Sequence, residues 1–152
     1  ESMGLKAIII HPNYDPGSDK LIEAIEKFNN IKHFHVMKNI PRVEFVNLFR
    51  KTSCLIGNSS AGILEAPLLK LPVVNVGNRQ SGRLHANNVQ FVEHDLTAIK
   101  KAIHRAVFDE EYIEVVKNCI NPYGNGNSSA KIAKILEDID INKEFSIKDI
   151  TY

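Results

Sequence analysis

The chain has no tryptophan, and aromatic residues make up only 7% of it, too few faces for a base-stacking nucleic-acid platform. Neither sign of charge is in excess. A net charge of +1 leaves no bulk field to recruit nucleic acid or an acidic membrane surface. There are two cysteines, Cys54 in an apolar stretch and Cys119 late in a helical one. So far apart, they read as reduced, buried thiols of a cytoplasmic protein, not as a disulfide or a metal pair. No signal peptide or spanning apolar run is present, so a cytoplasmic protein with no membrane partner is expected.

Several chemical signatures are missing as well. A dinucleotide-binding unit places G-x-G-x-x-G after its first strand, where this chain has His11-Pro12-Asn13-Tyr14-Asp15-Pro16-Gly17-Ser18. The serine loop has no lysine before a serine or threonine in the P-loop pattern, and Ser59 and Ser60 have no base at a readable spacing for nucleophilic catalysis. His11 and His85 sit in plausible site loops but have no identifiable partner. His94 and His104 read as exposed. His33 and His35 share a strand face, yet no third ligand accompanies them, so neither a metal nor another cofactor is expected.

What is present is a regular alternation. At 152 residues, with 43% hydrophobic and 24% charged residues, the chain has the size and composition of one globular domain. Leu5 to His11 is a continuous apolar run, as in a strand buried on both faces of a parallel sheet. Ser18 is expected to cap a helix carrying Leu21, Ile22, Ile25 and Phe28. A strand over His33–Met37 and a helix marked by Val43, Val46 and Phe49 follow. Next come a strand over Ser53–Ile56 and a helix carrying Ile63, Leu64 and Leu68. Pro67 falls inside that helix, which must start late or kink there. Val73–Val76 and Val89–Val92 are further strands. Leu96, Ile99, Ile103 and Val107 stripe a long helix, and Tyr112, Val115, Val116 and Cys119 mark another. A last helix shows Ile132, Ile135, Leu136 and Ile139, and a tail from Ile141 has no period. The order predicts an α/β fold with an open, mostly parallel sheet flanked by helices.

In such folds ligands bind beyond the carboxyl ends of the strands. Four loops share that edge: His11-Pro12-Asn13, Lys38-Asn39-Ile40, Gly57-Asn58-Ser59-Ser60 and Gly77-Asn78-Arg79. The third is the most informative, because small residues between a strand and a helix point backbone N–H groups, hydroxyls and a helix dipole at one spot. An anion is the ligand such a spot favours. Glu65, about one turn further in, can accept hydrogen bonds from vicinal sugar hydroxyls. Arg79 and Arg83 suit bidentate contact with a diphosphate. The plain alternatives are a strand-to-helix turn with Ser59 or Ser60 as N-cap, and a solvated arginine loop.

Laid out in order, these motifs resemble the C-terminal half of a UDP-N-acetylglucosamine 2-epimerase, nearest its hydrolysing, sialic-acid-pathway branch. The matching segments are Pro12-Asn13 with Asp15 and Gly17-Ser18, Lys38-Asn39-Ile40-Pro41, and Gly57-Asn58-Ser59-Ser60 through Gly62 and Glu65. Asn75 to Arg83, Asn87-Asn88-Val89 and Tyr123 to Asn127 continue the series, so the likeness runs from about Leu5 to Glu137. The resemblance implies a single Rossmann-like UDP-binding domain over residues 1–152, ending in a helix and tail over 128–152. That domain would be one half of a glycosyltransferase-B-like enzyme, lacking one central strand. It further implies that Ser59, Ser60 and Arg79 bind the diphosphate and Glu65 the ribose. Ile40 would meet uracil through its backbone, Asn13 would line the cleft, and Asn58 and Arg83 would support. The family's acidic catalytic residues belong to an N-terminal domain, so no catalytic residue is expected here and the chain alone is expected to be inactive. Glu1-Ser2-Met3 reads as an internal start, a first sign of a truncated chain. The implied partners are UDP or a UDP-N-acetylhexosamine, the N-terminal domain of the same enzyme, and a second copy meeting it through exposed sheet edges. Two other readings stay open: the donor-binding half of a UDP-sugar glycosyltransferase, and a stand-alone nucleotide-binding module.

Overall fold

A computed structural model describes residues 3–13 and 17–139 and divides the chain into two compact units, Glu1–Lys51 and Thr52–Tyr152. Asp15, in the loop after the first strand, and the aperiodic tail from Ile141 lie outside the described residues.

The first unit alternates β1 (Ala7–Ile10), α1 (Ser18–Glu26), β2 (Phe34–Met37) and α2 (Arg42–Phe49). β1 and β2 pair in parallel, with Ala7 opposite Phe34 and Ile10 opposite Met37. The β1 run was expected to be buried on both faces, yet Ile8 is 40% exposed. A two-stranded ribbon covers fewer faces than a wide sheet. Ser18 is not the cap of α1. Gly17, at φ 90°, holds that position, and Ser18 is the first helical residue. Phe49 is the best-buried side chain of this unit. It packs against Phe45 with ring centroids 4.5 Å apart, while Phe28 meets Phe34 edge-on at 5.1 Å. His11 does have a partner, contrary to the expectation from sequence. Its Nε2 lies 3.1 Å from the Glu26 carboxylate, an ion-pair distance without hydrogen-bond alignment.

The second unit holds β3 (Leu55–Gly57), β4 (Val73–Val76) and β5 (Val89–Val92) in a parallel sheet with β4 in the middle. Leu55 stands opposite Val73, and Val73 opposite Val89. The central strand is covered on both sides, with Val73, Val74 and Asn75 buried, as a parallel sheet requires. Helices α4 (Leu96–Phe108) and α5 (Glu110–Lys117) close one face. Each opens on an aspartate: Asp95 Oδ2 accepts the Ala98 N–H at 2.6 Å and Asp109 Oδ1 the Tyr112 N–H at 3.0 Å. The core joins Val74 to Ala102 and Ala106 of α4 and to Tyr112 and Val116 of α5. Alanines form the buried seam of α4, and Leu96 of the expected stripe is exposed. The final helix α6 (Ser128–Asp138) forms as expected, but its apolar stripe of Ile132, Ile135 and Leu136 is exposed.

The helix after β3 differs from the one read in the sequence. α3 (Ala61–Leu64) is a single turn, and a 3-10 helical turn, Ala66–Leu69, takes over. Pro67 sits in the first positions of that turn, where its missing N–H costs nothing. Lys70 ends it at φ 55° and donates its Nζ to the Cys119 carbonyl. Among the described residues no helix is long and apolar enough to cross a membrane.

Candidate functional site

β3 and β4 are neighbours running in the same direction, so the loops after them emerge side by side. The first, Gly57-Asn58-Ser59-Ser60, turns into α3. Ser59 Oγ accepts the Ala61 N–H at 3.3 Å, and the Ser59 and Ser60 carbonyls take the N–H groups of Gly62 and Ile63 at 3.2 and 3.0 Å. Ser60 occupies the N-cap position, yet its hydroxyl makes no capping bond. The Ser59 hydroxyl therefore has a local structural task and the Ser60 hydroxyl does not. A four-residue helix carries little macrodipole, so the dipole argument made from the sequence does not hold at α3. Gly62 is not a point of ligand approach either: it is buried, and a Cβ there would stand 2.8 Å from Val73 Cγ1. Its smallness serves the packing of α3 on the sheet. Glu65 follows α3 as its C-cap, half-buried, with Oε2 shielded from solvent.

The second loop runs from Gly77 to Arg83. Asn75 Nδ2 donates to the Gly77 carbonyl at 3.0 Å and secures its base, and Gly77 takes φ 79°. The Ser81 N–H donates to Asn78 at 2.9 Å and the Arg83 N–H to Gln80 at 3.3 Å across its tip. Arg79 and Arg83 are exposed on either side of a buried Gln80. Gln80 Nε2 donates to the Asn58 carbonyl at 2.8 Å and ties this loop to the serine loop. Glu65 and Arg79 each have a partner within the chain.

The structure thus collects Asn58, Ser59, Ser60, Glu65, Arg79 and Arg83 in the second unit, on the loops after β3 and β4 and at the end of α3. Asn13 and Ile40 belong to the first unit, in the loops after β1 and β2, Asn13 exposed and Ile40 half-buried. Two open grooves of the second unit, of about 970 and 500 Å³, lie along β5 and the segment before it. Arg83 lines the smaller, and Ser59, Ser60, Glu65 and Arg79 line neither. Asn58, Ser59, Asn78 and Arg79 are exposed, so the tips of both loops face solvent.

Two contacts at this edge were not in the sequence reading. Gln80 stood only as one letter of a motif, and nothing local marks a loop glutamine for burial. His94 is exposed, as read, and its ring lies against Gly77, where a Cβ would stand 2.5 Å from Cε1. Its place two residues past β5, on the ligand-binding edge, was the available signal.

Other chemistry is limited. Among the described residues no three His, Cys, Asp or Glu side chains could hold a metal ion. Burial pushes the Cys54 thiol up to about 12, eased by a Val74 backbone hydrogen bond, and burial also raises Cys119. Neither thiol is poised as a nucleophile.

The family profile described as UDP-N-acetylglucosamine 2-epimerase matches residues 1–137. The polysialic acid biosynthesis protein P7 of Escherichia coli is 32% identical over 142 residues, 93% of this chain and 36% of that protein. The hydrolysing UDP-N,N'-diacetylbacillosamine 2-epimerase of Legionella pneumophila is 31% identical over 148 residues, 97% of this chain and 38% of that protein. Among solved structures, the UDP-GlcNAc 2-epimerase of Neisseria meningitidis bound to UDP-GlcNAc superposes with a TM-score of 0.67. That match has 23% identity and covers 88% of this chain and 36% of the other. A Listeria monocytogenes protein described as a putative UDP-N-acetylglucosamine 2-epimerase gives 0.70 at 16% identity, covering 95% of this chain and 37% of the other. At these identities the superpositions establish the fold, parallel sheets flanked by helices. The chain spans little more than a third of the length of the relatives it matches. By the profile and the two relatives, the chain belongs to the UDP-N-acetylglucosamine 2-epimerase family.

Proposed function

We propose that this chain is the UDP-binding half of a UDP-N-acetylglucosamine 2-epimerase of the hydrolysing kind, a single Rossmann-like domain of a cytoplasmic enzyme. The observation that carries the reading is the 2.8 Å bond from Gln80 to Asn58, which locks the serine loop beside the loop bearing Arg79. Two hydroxyls, backbone donors and a guanidinium thereby come from adjacent strand ends, the donor set a diphosphate requires. The exposure of both loop tips fits a cleft whose opposite wall is another domain of the same enzyme.

In this reading Ser59, Ser60 and Arg79 hold the diphosphate, with Asn58 and Arg83 in support. Glu65 accepts hydrogen bonds from the ribose hydroxyls, Ile40 meets uracil through its backbone, and Asn13 is a further UDP-binding residue. The reaction removes the proton at sugar C2 and breaks the C1–O bond to UDP. Water then adds to the unsaturated sugar, giving N-acetylmannosamine. As the C1–O bond breaks, negative charge grows on the β-phosphate. Donors fixed in place before the reaction stabilise that charge, each contributing on the order of 3 kcal/mol to the transition state. The acid and base belong to the N-terminal domain, so this chain alone binds UDP without turnover. A second copy of the chain is a further expected partner.

Calorimetric titration with UDP tests the reading. Arg79→Ala is expected to weaken binding by about 1.5–3 kcal/mol, the range for hydrogen bonds to a charged group. Equal affinity in a folded variant overturns the diphosphate role.

A further inference from the structure

Gln80 is only 3% exposed, although it lies in a loop between two exposed arginines. Its amide orientation is settled by chemistry. The Asn58 carbonyl can only accept, so the atom facing it must be Nε2, the donor. The other end, Oε1, is then a buried acceptor with no hydrogen-bond partner among the described residues. A buried, unpartnered oxygen destabilises a fold, and a methionine of similar length would fill the space without it. A polar side chain kept at such a site calls for a return elsewhere.

That return lies in the peptide that Gln80 grips. The Asn58–Ser59 peptide is planar and trans, so its C=O and N–H point in opposite directions. Holding the Asn58 carbonyl toward Gln80 aims the Ser59 N–H the other way. The same bond polarises the peptide and makes that N–H a stronger donor. The arginine loop is independently secured by the Asn75–Gly77, Asn78–Ser81 and Gln80–Arg83 bonds. Gln80 therefore transmits the position of a firm loop to a short one made of small residues.

We propose that Gln80 is a positioning residue. It orients the Asn58–Ser59 peptide and fixes the serine loop against the arginine loop, at a cost in fold stability. The proposal deepens the nucleotide reading given above and rests on it for its ligand.

The test uses the full chain, with UDP as the probe. Gln80→Met is expected to leave the thermal unfolding midpoint unchanged or raised and to shift the NMR resonance of the Ser59 amide. It is also expected to weaken UDP binding at least tenfold. A lowered midpoint with a parallel loss of affinity marks an ordinary structural residue and overturns the proposal. An unchanged Ser59 amide, or a dissociation constant within twofold of wild type, also overturns it. Gln80→Glu supplies a second arm independent of packing. Its ionised carboxylate cannot donate to Asn58, but the protonated acid can, so UDP affinity relative to wild type should recover as pH falls toward about 5. A flat ratio overturns the proposal. Arg79→Ala separates the two readings. If it leaves UDP binding unchanged while Gln80→Met still shifts the Ser59 amide, the nucleotide assignment fails and the loop coupling stands.

Discussion

Gly62 lies so close to Val73 that a Cβ built on the glycine would stand 2.8 Å from Val73 Cγ1 and 3.6 Å from Leu55 Cδ2. Val73 is a buried, β-branched residue of the central strand with little rotamer freedom to yield. Gly62→Ala therefore forces α3 away from the sheet, a case of overpacking that costs about 1–3 kcal/mol. Urea denaturation of the variant should show a lower midpoint with an unchanged slope. A midpoint equal to wild type would mean that the turn moves freely on the sheet.

A buried hydrogen bond ties α5 to the residue that precedes β5. Tyr112 Oη donates to the Asn88 carbonyl at 2.8 Å, and Asn88 Nδ2 donates to the Leu71 carbonyl at 3.0 Å. Tyr112→Phe keeps the ring and leaves the Asn88 carbonyl its Val73 N–H donor at 2.8 Å, so the loss is that of one hydrogen bond, about 0.5–1.5 kcal/mol. Equilibrium unfolding measures it directly.

The same tyrosine and Cys54 are expected to make the fold sensitive to alkaline pH. Burial pushes Tyr112 from 10.0 up to about 12 and Cys54 from 9.0 up to about 12. In the unfolded chain both groups release their protons at the lower values, while the folded chain retains them. Unfolding is therefore favoured as pH rises through that window, and the stabilisation present below pH 9 is lost by about pH 12. Cys54→Ala combined with Tyr112→Phe should flatten the fall in unfolding free energy over this range. An unchanged slope would place the alkaline sensitivity elsewhere.

The elements that the sequence made legible are those with redundant local signals. β4 and β5 are valine-rich runs, and α4 and α5 each begin at an aspartate whose carboxylate takes the N–H three residues on. The helix after β3 was less legible because Pro67 and Gly62 act on it in opposite ways. The proline ends the α-helical pattern early, whereas the glycine answers to Val73, which lies far along the chain. The adjacency of the serine and arginine loops followed from strand order, since parallel neighbours deliver their loops to one edge. What joins those loops did not. Gln80 reaches Asn58 across 22 positions, a tertiary relationship without periodicity or spacing to announce it.

The two serines of the β3 loop give the sharpest separation of fold from site. Ser59 Oγ accepts the Ala61 N–H at 3.3 Å, so Ser59→Ala should cost about 0.5–1 kcal/mol of stability through the lost turn bond. Ser60 stands at the N-cap without using its hydroxyl for the cap, so Ser60→Ala should leave stability within about 0.5 kcal/mol of wild type. If that hydroxyl is kept for a phosphate oxygen, the same variant weakens UDP binding by about 1 kcal/mol or more. Denaturation and UDP titration of both variants check the pair together. A Ser60→Ala chain that loses stability but keeps its affinity would reverse the assignment and make Ser60 a structural residue of the turn.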